Sequence, residues 1–160
     1  MALLSPNGSV LNLSTASTPT LAGCLKSCRA VALAAGTYGH RIAVIPAGAT
    51  WNDGRLRPAF EDWIGDGAIV SYLKGHLSPE AELAQGAYQN ICQSSSSLRT
   101  LRKRCSSGQE LVERGFGQDV DLASEIKVSN CVPSLKDGAY KNVQRADLPI
   151  NAPMSWDFDS

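Results

Sequence analysis

The sequence predicts a layered α/β protein, and three observations carry that expectation. Residues 41–45 (Arg-Ile-Ala-Val-Ile) are a β-branched apolar run, as in a strand buried on both faces. Apolar residues recur at helical spacing after Pro58 and again after Ser78. Strand and helix signals then alternate along the chain with no internal repeat, which is the pattern of stacked layers.

Each element has its own local reason. Ala2-Leu3-Leu4 reads as a strand end and Ser5-Pro6-Asn7-Gly8-Ser9 as the tight turn after it, with a short helix over 9–13. Residues 20–23 form a second short strand candidate. Cys24, Cys28, Val31 and Ala35 mark a helix that Gly36 and Gly39 end. The run at 41–45 breaks at Pro46-Ala47-Gly48, and a polar loop reaches Arg57. Pro58 suits the first position of a helix whose stripe is Phe60, Trp63, Ile64, Gly67 and Ala68, running to about Lys74. Ser78 as N-cap and Pro79 at N1 start the next helix, with Leu83, Ala87 and Ile91 inward. Helical pieces follow at 98–105, 107–114 and about 119–127, then an edge strand at 130–133. Residues 1–143 read as one domain and 144–160 as an extended or mobile tail.

Composition excludes some functions. Fifteen basic and fifteen acidic residues cancel in a chain of 160, so no global field attracts nucleic acid or an anionic membrane. Five scattered cysteines, an odd number without a CxxC pair, point to free thiols in a reducing compartment, the cytoplasm. The first residues lack the basic stretch and apolar core of a signal peptide, and no run is long enough to span a bilayer.

Four places can carry chemistry. The turn at Asn7, Gly8 and Ser9 aims backbone N–H groups at one point, as phosphate binding requires, although a plain Pro-Asn-Gly turn explains the same residues. Gly48 follows the clearest strand, where ligands of open α/β sheets bind. Glu61 and Asp62, with Asp66 one turn on, could hold Mg²⁺ through hard oxygens, but acidic residues also suit a helix start through its dipole. Arg55 and Arg57 could bind an anionic group, or be ordinary exposed arginines. Asp119-Val120-Asp121 has nucleophile-motif spacing without the preceding strand, so Asp119 reads as an N-cap. The cluster Arg99, Arg102, Lys103 and Arg104 reads as a solvated helix face.

The ordered series Ser5-Pro6-Asn7-Gly8-Ser9, Leu21–Leu25, Ala43-Val44-Ile45-Pro46-Ala47-Gly48, Arg57–Asp62 and Gly65–Ala68 resembles the ComB-like 2-phosphosulfolactate phosphatase family. Gly108-Gln109-Glu110-Leu111, Gly115-Phe116 with Asp119-Val120, and Val132-Pro133 with Asp137-Gly138 extend the resemblance, which covers about residues 3–141. It implies a three-layer α/β/α fold with a mixed sheet. The implied reaction is Mg²⁺-dependent hydrolysis of a phosphate monoester of a sulfonated 2-hydroxy acid, a small-molecule substrate belonging to coenzyme M biosynthesis in archaea. It matches Asn7-Gly8 to a family turn and Glu61-Asp62 to a family pair, so Asn7, Gly8 and Ser9 join Gly48 and Arg57 as candidate phosphate or substrate contacts, and Glu61 and Asp62 are the candidate catalytic and metal residues. The chain corresponds to the family's C-terminal portion: its Asp-Val-Leu-Arg-Ala, Gly-Glu-Arg and Gly-Asn-Ser-Pro motifs are absent. Ala49 stands where relatives often have Glu, and Ser27 where they often have Asn. The alternative to an enzyme is therefore a non-catalytic member that binds a metabolite or a partner. A sheet lacking neighbours would also favour a homodimer.

Overall fold

The computed structural model describes residue 15 and residues 17–95, 97–143 and 147–149. The expected strand, turn and helix at 2–13, including Asn7, Gly8 and Ser9, and most of the tail lie outside the described residues. The chain is an α/β protein. Among the described residues the order is a 3-10 turn (Leu25–Ser27), α1 (Cys28–Tyr38), β1 (Ala49–Thr50), β2 (Leu56–Arg57), α2 (Phe60–Val70), α3 (Pro79–Gln93), α4 (Leu98–Arg104), α5 (Ser106–Glu113), α6 (Gly117–Ala123), β3 (Pro133–Lys136) and β4 (Ala139–Asn142). The strands pair as two antiparallel hairpins, β1 with β2 and β3 with β4.

The main core lies where α2 packs between α1 and α3. Cys28 and Ala32 of α1, Ile64, Ala68 and Ile69 of α2, and Tyr88 of α3 share one cluster with Leu25 and Leu98. Ile64 is 2% exposed, and burying such a side chain stabilises the fold by about 1.5–3 kcal/mol. Close approach of α2 and α3 depends on Gly67: a Cβ there would run into the carbonyl of Ala84. The other side of α1 packs differently. Ala30 and Ala34 meet Val132 and Val143 beside the β3–β4 hairpin, with Leu21 against them. The strand expected at 20–23 is a single bridge from Leu21 to Ser134, flanked by bonds from the Ala22 N–H to Pro133 and from the Leu135 N–H to Thr20, both 2.9 Å.

Local signals that need no distant partner are realised. Ser78 caps α3 by accepting from the Ala81 N–H, with Pro79 at the first position and Glu80 and Glu82 in the first turn. Other expectations are corrected. Residues 41–45 are not a buried strand: they join no ladder, and Ile42 and Ile45 are 39% and 61% exposed. A strand needs neighbours for its backbone groups, and none of the described residues supplies them. Only Val44 packs on the core.

Leu83 and Trp63 face outward, at 69% and 51% exposure. Ala84 and Tyr88, in contact with Gly67, are the buried residues of α3, and the expected Ala87 and Ile91 pack partly buried beside them. Gly36 lies inside α1, which ends at Tyr38 with Gly39 as its cap. The helix after Pro58 ends at Val70, short of Lys74. In place of the edge strand expected at 130–133, β3 begins at Pro133 and pairs with a further strand, β4, and Asp119 sits in the first turn of α6 with Phe116 as N-cap. Among the described residues no helix is long and apolar enough to cross a membrane.

Candidate functional site

The polar residues of interest gather where the β1–β2 hairpin runs into α2 and meets the α4–α5 junction. The hairpin pairs Ala49 with Arg57 and Thr50 with Leu56. Its turn closes through bonds between Trp51 and Arg55 (2.8 Å) and from the Gly54 N–H to Trp51 (2.9 Å). Gly48 precedes β1 with φ +68, a left-handed conformation that disfavours a side chain. A Cβ at Gly48 would also meet Leu56 at 2.7 Å and the Arg57 carbonyl at 3.3 Å. Gly48 is thereby held beside Arg57, and its backbone N–H donates to the carboxylate of Asp62.

Arg57 is fixed from two sides. Its guanidinium lies 5.2 Å from the centroid of the Trp51 ring. It also donates through both terminal nitrogens to the two carboxylate oxygens of Glu110, at 2.9 and 3.3 Å. Pro58 and Ala59 then lead into α2, whose first turn carries Glu61 and Asp62. The Glu61 carboxylate accepts a 2.8 Å bond from the Ser107 hydroxyl. The Cys105 thiol donates to the Arg102 carbonyl at 3.0 Å and lies 3.4 Å from the Ser107 hydroxyl. Gly108 permits this tight junction, because a Cβ there would run into the Arg102 carbonyl. Arg57, Pro58, Ala59, Phe60, Cys105, Ser106 and Ser107 line a cleft of about 100 Å³.

Electrostatics sharpen the picture. Burial pushes the Asp62 carboxyl up; the Gly48 N–H opposes this, Glu61's charge adds to it, and Arg102 offsets part of it. Asp66, one turn along, is pushed up to about 7 by burial and then by the charge of Asp62. Two half-buried carboxylates that repel each other are a hard-oxygen set of the kind Mg²⁺ accepts, with water completing its shell. Glu61 and Asp62 are consecutive on the helix and reach different partners, Ser107 and Gly48. Among the described residues no three His, Cys, Asp or Glu side chains gather closely enough to hold a metal by themselves.

Four residues singled out in the sequence, Gly48, Arg57, Glu61 and Asp62, are therefore brought into one region. Arg102, Cys105, Ser106, Ser107 and Glu110 are also there, and sequence reasoning missed their role. Glu110 lies in the Gly108–Leu111 stretch of the family resemblance, and Ser106-Ser107-Gly108 is a visible helix start, but neither signal assigned these residues a role. The cluster dismissed as a solvated face is partly engaged: Lys103 and Arg99 pair with Asp121 at 2.8 and 3.5 Å. All five thiols are free, with Cys28 buried and its pKa raised by that burial.

Fold and cluster together define an α/β protein with a cleft lined by an arginine and two serines beside paired carboxylates. Residues 1–138 match the family model for 2-phosphosulpholactate phosphatase, and the chain belongs to that family. It is 29% identical over 138 residues to the 2-phosphosulfolactate phosphatase of Methanothermobacter thermautotrophicus, a match covering 86% of this chain and 57% of that protein. The chain thus spans little more than half the length of this relative.

Proposed function

We propose that the protein is a phosphatase for the phosphate monoester of a sulfonated 2-hydroxy acid, with 2-phosphosulfolactate as the type substrate. The observation that carries this reading is the convergence of Arg57, Ser106 and Ser107 on one cleft beside Glu61 and Asp62 in a chain of this family. Arg57 offers a planar fork to an anionic group, and the Ser106 hydroxyl can donate to another of its oxygens, while Ser107 gives its one hydrogen to Glu61. Gly48, and Asn7, Gly8 and Ser9 outside the described residues, would add further contacts to the substrate.

Glu61 and Asp62 would supply part of the oxygen shell of Mg²⁺, which when bound supplies charge neutralisation at the phosphoryl group. The carboxylates of Glu61 and Asp62 are the groups able to take the proton of an attacking water. Water adds to phosphorus, the bond to the ester oxygen breaks, and that oxygen leaves with a proton as the hydroxy acid. A reducing cytoplasm suits the free thiols, and exposed Trp51, Leu56 and Trp63 suit a homodimer. The test is phosphate release from 2-phosphosulfolactate by the protein in its full natural length, with Mg²⁺ and with excess chelator. Turnover that depends on Mg²⁺ is expected; absence of turnover in both would overturn the assignment.

A further inference from the structure

The ion pair between Arg57 and Glu110 joins two unequal partners. The Arg57 side chain is only 19% exposed, whereas that of Glu110 is 54% exposed. Arg57 is immobilised by the hairpin register, by the Trp51 ring and by Pro58 behind it. Glu110 instead projects from the exposed side of α5. The arginine lines the cleft and the glutamate does not. Both guanidinium bonds to Glu110 are of the fork-to-fork kind that a carboxylate, sulfonate or phosphate ligand would make. Glu110 therefore spends the same two donors that an incoming anion requires.

The carboxylate also has a second place to go. Arg114 lies one helical turn beyond Glu110, the spacing at which side chains of a helix meet. Arg57 is the larger influence holding the Glu110 carboxyl below the usual range, and the charge of Arg114 pulls in the same direction. Glu110 is the exposed end of this pair, so turning from one arginine to the other keeps its charge partnered and in contact with water. Glu61 meanwhile adds a further negative charge near Arg57. With Glu110 in place two carboxylates act on Arg57; with Glu110 turned to Arg114, the Glu61 carboxylate is the one left near it.

Building on the proposed anion cleft, we infer that Glu110 is an internal stand-in for the ligand's anionic group, displaced from Arg57 to Arg114 when that ligand binds. It sets affinity and selects against weak competitors. A singly charged carboxylate gains little over Glu110, whereas a doubly charged tetrahedral oxyanion gains both charge and a third acceptor oxygen.

Inorganic phosphate is the probe, with binding followed by titration calorimetry above pH 7, where it is mainly dianionic. Glu110→Gln should bind phosphate about three- to tenfold more tightly than the unaltered chain. Glu110→Ala should shift in the same direction, so a local effect of the glutamine does not decide the outcome. Arg114→Ala should bind about twofold more weakly, since the displaced carboxylate loses its second partner. Arg57→Ala should abolish binding. If Arg57→Ala abolishes binding but both Glu110 variants bind as the unaltered chain does, or less tightly, the stand-in role is wrong and the cleft survives. Where phosphate binds none of the proteins, or binds equally without Arg57, the cleft reading fails and the stand-in role with it.

Discussion

α2 joins two regions built on opposite principles. Its second half, from Ile64 to Val70, is almost wholly buried among Cys28, Ala32 and Tyr88. Its first turn holds Glu61 and Asp62 at half-burial beside Arg57, Ser107 and Gly48. The first region is stabilised mainly by apolar area and close contact, and burial holds its ionisable groups, Cys28, Asp66 and Tyr88, toward their neutral forms. The second is held by directional bonds and contains carboxylates whose charge is only partly offset. Stability should therefore reside in one half of the helix and affinity in the other. A site that retains uncompensated charge is poised to gain from a ligand that supplies it.

The contrast can be broken most severely at Gly67. Gly67→Val should cost about 3 kcal/mol or more, because the added carbons meet backbone at Ala84 rather than a side chain that can turn aside. Urea unfolding measures this; a loss below about 1 kcal/mol would mean that α2 and α3 are not packed as described.

Asp66 gives an intermediate effect with a definite sign. An ordinary aspartate titrates near 3.8, and Asp66 in the fold at about 7. Between those values the folded chain retains a proton that the unfolded chain has released. Its contribution to stability thus declines as pH rises from about 4 to about 7, then levels off. Asp66→Asn should remove that slope and stabilise the chain above pH 7 by about 1–2 kcal/mol, allowing for solvent screening of a half-exposed group. Melting temperatures across pH 4–8 would show it; equal slopes in both proteins would contradict it.

Ser107→Ala should have the smallest effect on folding, below about 1 kcal/mol, since Glu61 can turn to water once its 2.8 Å bond is lost. The same variant should lower kcat more than it changes KM, which a purely structural serine would not do.

How much of this was readable in the sequence depended on the distance between partners. Ser78 and Pro79 begin α3 through contacts within three residues, and the sequence shows such a cap directly. Gly48 was singled out as the exit of a strand that does not form, and Arg57, Glu61 and Asp62 by the family resemblance and a helix start; a hairpin that the sequence did not disclose brings them together. Arg57 and Glu110 lie 53 positions apart, so nothing local discloses their pairing. Residues 41–45 failed for the complementary reason: a β-branched run sets a preference, but a strand exists only where another backbone lies beside it. Leu83 and Trp63 failed because a turn of about 100° per residue leaves neighbouring lines on a helix equally apolar, and Gly67 chose between them.

The central claim is that the cleft between the start of α2 and the α4–α5 junction receives the anionic substrate. The most direct test is kcat/KM of Arg57→Ala on 2-phosphosulfolactate, measured alongside its unfolding midpoint. A fall of about 100-fold or more with the midpoint little changed is the expected result. Turnover within about twofold of the unaltered protein would contradict the account.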